Sequence, residues 1–402
     1  MELKPLRQGS VQAGYKQTEV GVIPEEWDVS TVGREFEIKL GKMLDAEKNV
    51  GVPKPYLGNK AVQWDRIDIS DLPTVPMSRA DIKRFCLQKG DLLACEGGEV
   101  GRAAIWDAPI EECYYQKALH RLRPLRGFDS RLMVALLRQW SDRGLLANYV
   151  TQTSIAHLPR EKFVEVPMPV PPPSEQRAIA GALSDVDELI GALGQLIAKK
   201  RDLKLATMQQ LLTGQTRLPS FRGEWEVKRI ADLFNITAGG DIDPKRSQPY
   251  QDETHCYPIY SNALTGRGLY GYCTYADHQA GSITITARGT LGVANFRDRD
   301  FTAIGRVLVL KPTRNLDGRY FSEVINNRIN FVVESTGVPQ LTVPQISKYN
   351  LPVPRVPEQC AIAEVLSDMD AELAALEKRR DKTRDLKQGM MQELLTGRTR
   401  LV

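Results

Sequence analysis

"EQRAIAGALSDVD" spans Glu175 to Asp187, and "EQCAIAEVLSDMD" repeats it at Glu358 to Asp370. The two segments align without a gap over a longer stretch, Glu175–Leu218 against Glu358–Leu401, at a constant offset of 358 minus 175, or 183. More than half of the paired positions are identical, and both copies close on a near-identical run, "MQQLLTGQTRL" and "MQELLTGRTRL". An internal repeat of this length is a duplication, and it decides the architecture before any local reading does.

Each copy reads as one long helix. Ile179, Leu183, Val186, Ile190 and Leu193 step by four and three, and Ile362, Leu366, Met369, Leu373 and Leu376 do the same. That spacing draws one narrow apolar stripe down one helix face, at the period of a coiled coil. Pro171–Pro173 and Pro357 are placed just before the helix starts, where a missing N–H costs nothing. Gly214 and Gly397 follow Leu-Leu-Thr, where a helix ends in a left-handed cap. About 38 residues at ~1.5 Å each make a rod of roughly 57 Å. A stripe this narrow needs a partner, and equal length and shared caps point to the duplicate rather than to two separate cores.

Between the rods lie two blocks, roughly residues 20–170 and 219–354, and they echo each other. "EEWDVSTVGREF" (Glu25–Phe36) matches "GEWEVKRIADLF" (Gly223–Phe234), and "GDLLACEGGEVGRAA" (Gly90–Ala104) matches "GSITITARGTLGVAN" (Gly281–Asn295) at its glycines. The exits "MPVP" (Met168–Pro171) and "LPVP" (Leu351–Pro354) match as well. Short β-rich runs dominate, such as "SITITA" and "RVLVL", separated by turn residues. One helix per block is expected, in "SRLMVALLRQW" (Ser130–Trp140) and "RYFSEVINN" (Arg319–Asn327). The blocks therefore read as mixed α/β (α+β) with mostly antiparallel sheet. Their middles differ, "YLGNKAVQWDRIDISDLPTVPMS" against "YPIYSNALTGRGLYGYCTY". A duplicated frame with diverged middles suits one reader set to two targets.

Composition excludes several classes. Apolar content of 42% and charged content of 26% describe a soluble globular chain, and no run is apolar enough to cross a bilayer. The first residues have no apolar core of a secretory signal, so a cytoplasmic protein is expected. Six scattered cysteines without a Cys-x-x-Cys pair read as free thiols of a reducing compartment. A net charge of +4 permits nucleic-acid binding without arguing for it.

Taken in order, "YKQTEVGVIPEEW", "GDLLACEGGEVGRAA", "YPIYSNALTGRGLYGY", the "PVP…EQ" approaches to both rods and both "LLTG" exits resemble the specificity subunit of type I restriction–modification enzymes over nearly the whole chain. The resemblance implies an N-terminal segment with a first target-recognition domain (1–171), a central helix (172–218), a second recognition domain (219–355) and a further helix (356–402). It implies helices paired as an antiparallel coiled coil with pseudo-two-fold blocks. It also implies no catalytic residue, cofactor or metal in this chain. The implied partners are double-stranded DNA and two methyltransferase subunits, with two restriction subunits when present. Different readers at the two ends imply an asymmetric bipartite site.

Candidate DNA contacts are basic, amide and aromatic side chains of the diverged middles. In the first block these are Lys60, Gln63, Trp64, Arg66, Arg79, Lys83 and Arg84; in the second, Tyr257, Tyr260, Ser261, Asn262, Arg267 and Arg288. Arginine forks onto guanine and asparagine or glutamine onto adenine, while other cations hold phosphates and position without specifying. For any one of them a solvated surface is the commoner explanation. The rods carry basic clusters, "KKRDLK" (Lys199–Lys204) and "EKRRDKTRDLK" (Glu377–Lys387), that interrupt the stripe. A solvated face and contact with DNA or a methyltransferase subunit are the two readings.

Three other signals are weak. "GRGLYG" (Gly266–Gly271) fits a dinucleotide fingerprint, but aromatic β-like sequence follows it where a helix should open. Asp28, Glu37 and Lys39 resemble a nuclease arrangement and would support a stand-alone metal-dependent nuclease; the second block has Asn235 and Thr237 in the positions of Glu37 and Lys39. His255, Cys256, Cys273 and His278 lack the tight cysteine pairs of a zinc site. A structural adaptor that binds no DNA is the remaining alternative.

Overall fold

The structure, a computed structural model, describes residues 12–45, 47, 49–152, 156–331 and 339–401. These fall into two compact units. Unit 1 comprises Met1–Ala192 with Arg379–Val402, and unit 2 comprises Leu193–Lys378.

In unit 1 a four-stranded antiparallel sheet runs in the order Ala103–Ile105, Leu92–Cys95, Leu119–Pro124, Phe36–Leu40. The strand Leu92–Cys95 is buried along its whole length, because both sheet faces are covered. The helix Ser130–Asp142 lies on one face, capped by the Asp129 carboxylate on the Arg131 N–H, and buries Leu132, Met133, Leu136, Leu137 and Trp140. A smaller sheet of Tyr114–Tyr115, Val52–Leu57 and Thr74–Met77 closes a second core around Leu57, Trp106, Tyr114 and Tyr115.

Unit 2 repeats this plan. Its main sheet runs Phe234–Ala238, Val307–Pro312, Ile283–Thr286, Ala294–Phe296, antiparallel throughout. Its helix is Gly318–Arg328, capped by Asp317. The lesser sheet consists of Ser247–Gln248, Leu269–Cys273, Tyr257–Tyr260 and Thr302–Ala303. Each unit also pairs an early strand with its exit strand, Asp28–Thr31 with Pro167–Val170 and Glu226–Arg229 with Asn350–Val353. This pairing delivers the chain into a rod.

Both rods are helices of 39 residues, Pro173–Leu211 and Val356–Leu394, about 58 Å long. Pro173 and Pro357 sit inside the first turn rather than before it, a position that needs no amide hydrogen. Gly214 and Gly397 take φ of +71° and +67°, the left-handed conformation a helix exit requires. Within unit 1 the first half of the first rod lies against the second half of the second rod, with Ile179, Ala180 and Leu183 sharing a core with Met391 and Leu394. Within unit 2, Met208 and Leu211 share a core with Ile362, Ala363 and Leu366. In each unit the paired halves run antiparallel. Of the stripe residues, Ile179, Leu183, Leu193, Ile362, Leu366 and Leu373 are buried, while Val186, Ile190, Met369 and Leu376 are half-buried.

Lysines take over stripe positions where the apolar run stops, and each pairs with an acid that flanks the stripe of the other rod. Lys387 Nζ meets Asp187 at 2.6 Å in unit 1, and Lys204 Nζ meets Asp370 at 2.6 Å in unit 2. The second pair repeats the first under the offset of 183. Lys200 with Glu372, and Arg201 with Glu377, add further pairs in unit 2. Three cations of the first cluster thus pair across the helices, whereas in the second Lys387 does so and Arg380 and Arg384 turn to Asp381 on their own helix. A polar pair inside a coiled-coil seam costs stability and fixes register.

Candidate nucleic-acid interface

The rods meet the blocks through the two residues that open each repeat. Glu175 is fully buried and accepts from Trp27 Nε1 at 2.9 Å and from Arg400 Nε and Nη2 at 2.6 and 2.9 Å. Burial drives the Glu175 carboxyl upward, but the Arg400 and Trp27 hydrogen bonds outweigh it and hold the group below its ordinary value. Glu358 repeats the site, accepting from Trp225 Nε1 at 3.2 Å and from Arg217 Nε and Nη2. The neighbouring glutamine ties the helix of each block to the rod. Gln176 Oε1 accepts from the Asp129 N–H at 3.0 Å while its Nε2 donates to the Pro171 carbonyl at 2.8 Å. Gln359 does the same with Asp317 and Pro354, at 2.9 and 2.8 Å. Asp129 and Asp317 are the N-caps of the helices Ser130–Asp142 and Gly318–Arg328, so one amide fixes each helix start to a rod start.

In unit 1 the candidate contacts fall into two groups. Gln63 and Arg66 face each other on the hairpin Val62–Gln63/Arg66–Ile67, with Lys60 just before it. Gln63 turns its amide back onto the Lys60 carbonyl at 2.8 Å. Trp64 sits at the hairpin turn, its indole N–H on Glu99 and its ring 5.4 Å from the Arg138 guanidinium. It also packs against the main core, so this side chain is engaged within the fold. Arg79, Lys83 and Arg84 are exposed on the short helix Arg79–Phe85. Ser78 and Asp81 form a capping box at its start, and Lys42 reaches Asp81 at 3.0 Å. Burial raises the Asp81 carboxyl, yet the Ser78 and Lys42 hydrogen bonds leave it lowered overall.

In unit 2 the structure brings Ser261, Asn262, Arg267 and Arg288 to one edge. The loop 261–268 closes on itself, the Ser261 N–H and hydroxyl both donating to the Gly268 carbonyl at 2.7 and 3.2 Å. Arg267 folds onto the Phe296 carbonyl at 3.2 Å. Asn262 Nδ2 donates to the Arg288 carbonyl at 3.0 Å. Tyr257 and Tyr260 lie on the adjoining strand. Tyr260 is packed between Phe301, 5.5 Å away, and the Arg297 guanidinium, 3.4 Å over its ring. Burial lowers the Arg297 pKa to about 10, which leaves it charged at neutral pH.

Residues that sequence reasoning missed complete this edge. Gln340 Oε1 accepts from Arg288 Nε and Nη2 at 3.0 and 2.7 Å. Arg306 and the exposed Tyr270 line the same open cavity of about 460 Å³. A signal for Gln340 existed. It stands 340 minus 157, or 183, residues after His157, the same offset as the rods.

The weaker motifs are not assembled as sites. Gly266, Arg267 and Gly268 all have positive φ in a short turn, and a strand follows, not a helix. Glu37 is held by Lys39 and Arg121, each at 2.7 Å, and the Lys39 hydrogen bond leads in lowering its pKa. Asp28 lies on a different strand, opposite Val170. His255 faces Asp252, Cys256 is exposed, the Cys273 thiol lies on the Tyr275 carbonyl, and His278 stacks on Phe301. Among the described residues no cluster of three or more His, Cys, Asp or Glu side chains could hold a metal, and no helix is long and apolar enough to cross a membrane.

A frame built twice, with rods shared between the copies, is the mark of one class of protein. The family model described as "Type I restriction modification DNA specificity domain" matches residues 24–199 and again 222–383, and the chain belongs to that family. The type I restriction enzyme MjaVIII specificity subunit of Methanocaldococcus jannaschii is 25% identical over 419 residues, covering 94% of each chain. In fold, the chain resembles the type I restriction–modification S subunit from M. genitalium, with a TM-score of 0.61 at 17% identity, over 92% of this chain and 96% of that one. A chain from a structure of complex assembly and conformational transition in the type I R-M system gives 0.58 at 16% identity, over 93% and 99%.

Proposed function

We propose that this chain directs a type I restriction–modification complex to DNA by reading two half-sites, one per recognition domain. In this reading residues 1–171 and 219–355 are the two readers, and the helices 172–218 and 356–402 set the spacer and dock two methyltransferase subunits. Two restriction subunits join where the system has them. The chain itself supplies no catalysis, works in the cytoplasm, and leaves methyl transfer and cleavage to its partners.

One observation carries the reading: the same frame occurs twice, with different side chains at matched edge positions. In unit 1, Asn59 Nδ2 donates to the Gly97 carbonyl at 3.0 Å; in unit 2, Asn262 does so to Arg288 at the same distance. A kept scaffold with exchanged side chains is what two readers of different sequences require. A nuclease role for Glu37 finds no support, since two cations already occupy its carboxylate.

Single-molecule methylation sequencing of DNA from cells with the gene intact and deleted tests this. The expected result is loss of one adenine-methylated motif, split and asymmetric. Methylation that is unchanged by the deletion, while the chain still co-purifies with a methyltransferase, overturns it.

A further inference from the structure

We propose that Arg288 and Gln340 form a guanine-reading couple in the half-site bound by unit 2. The proposal rests on the DNA-reading role above and names a base within it.

The two positions are the read-out points of the duplicated frame. Arg288 and Gln340 form an isolated antiparallel bridge, and Gly97 and His157 form the matching bridge in unit 1. An asparagine pins the carbonyl of the first residue in both units. The backbone device is thus the same, and only the side chains differ. Gly97 projects nothing, whereas Arg288 projects an exposed guanidinium.

The hydrogen-bond inventory then selects the base. Gln340 Oε1 accepts from both Nε and Nη2 of Arg288, at 3.0 and 2.7 Å. Those two bonds fix one edge of the guanidinium and occupy the amide oxygen. What remains on the couple is donor only: Nη1, the second hydrogen of Nη2, and the Gln340 amide NH₂. A surface that only donates fits guanine, whose major-groove edge offers the acceptors N7 and O6 side by side. Adenine and cytosine each present an amino donor there, and thymine a single acceptor beside a methyl group. Glutamine alone would read adenine through its oxygen, but here that oxygen is taken.

The surroundings suit an approaching duplex. Arg306 lines the same open cavity and supplies a second cation, and Tyr270 stands 60% exposed on its wall; Asp241 is the acid there. Gly240 and Gly305 keep that wall free of side chains.

The test uses the chain co-expressed with its methyltransferase partner, with the motif read by single-molecule methylation sequencing. The native complex is expected to methylate a split motif with a guanine in one half. Arg288→Ala should relax that one position, losing about tenfold to a hundredfold of discrimination, with the other half unchanged. Arg288→Gln should move the preference toward adenine, because a free amide both donates and accepts. Gln340→Ala should weaken the guanine preference in part. A split motif untouched by Arg288→Ala, or relaxed at a base other than guanine, overturns the couple while leaving the DNA-reading role standing. No split motif from the native complex removes both. Should the Arg288→Ala complex fail to methylate at all, binding of the purified complexes to duplexes with and without the guanine decides. The native complex must prefer the guanine duplex and the variant must not; equal binding by the native complex overturns the proposal.

Discussion

The carboxylate of Glu175, at the start of the first rod, is gripped by the guanidinium of Arg400, beyond the end of the second, at 2.6 and 2.9 Å. Glu358 and Arg217 repeat this in unit 2. Each grip joins the opening of one rod to the exit of the other, so the duplicated termini recognise each other reciprocally. The cation also holds a carboxylate that has no exposed surface. Arg400→Ala should therefore cost unit 1 about 3 kcal/mol, the usual consequence of stranding a buried charge. Urea unfolding followed unit by unit measures it, because two units need not melt together. A double-mutant cycle of Glu175→Ala with Arg400→Ala should show strong coupling, and one of Glu175→Ala with Arg217→Ala should be additive. Equal coupling in both cycles would refute the reciprocal pairing.

The same grip sets a pH dependence. Glu175 has a folded pKa below its ordinary value, with the Arg400 and Trp27 bonds overcoming burial. A depressed carboxyl contributes stability that is fully present above its unfolded pKa, about 4.3, and lost as pH falls through the folded value. In Arg400→Ala, burial acts unopposed by the cation and the pKa rises. The stability gap between native chain and variant should be widest at high pH and shrink as pH falls from the variant's raised value toward the lowered value of the native chain. A gap that stays constant down to pH 3 would show that the bond contributes through packing alone.

Lys387 is a different case. It is 12% exposed and lies 2.6 Å from Asp187, with Asp65 at 3.5 Å. Burial leads in raising the Asp187 pKa, and the Lys387 hydrogen bond only moderates the rise. Removing the cation by Lys387→Ala should cost about 1–2 kcal/mol at pH 7, reduced from the full buried-pair value because Asp187 is partly exposed. The loss should diminish as pH falls, since the stranded carboxyl then takes a proton. Lys387→Met with Asp187→Leu should recover most of it by filling the seam with apolar atoms. If the double variant is as unstable as the single one, the pair contributes more than register.

How much of this was legible depended on whether the partner lay within the repeat. Ile179, Leu183, Ile362 and Leu366 announced their burial because a helix seam writes its period into the sequence. Lys204 and Lys387 stood out only as interruptions, for their partners Asp370 and Asp187 appear once the rods are laid antiparallel. Gln176 was visible in the repeat, but its hold on Asp129 spans 47 positions and has no local signature. Trp64 was ambiguous in kind: an aromatic in a diverged loop reads equally as a stacking platform or as packing, and Glu99 and Arg138 engage it within the fold. Gln340 lies outside the diverged middles, and its counterpart His157 lies near an exit, so nothing local marks it as a contact.

The paired rods also predict what a change of length does. Deleting Ala371–Leu376 from the second rod alone shifts everything after it by six residues, about 9 Å of helix. The pair Lys204–Asp370 precedes the cut and Lys387–Asp187 follows it. No single sliding of the rods then satisfies both pairs, and the two grips on Glu175 and Glu358 fall out of step. The single deletion should abolish assembly with the methyltransferase, read by co-purification. Removing a whole heptad from the matched place in both rods keeps the apolar face in phase and leaves both pairs able to form. Such a chain should assemble, and the spacer of its methylated motif should shorten while both half-sites stay the same. An intact complex with an unchanged spacer would show that the rods do not set the distance between the readers.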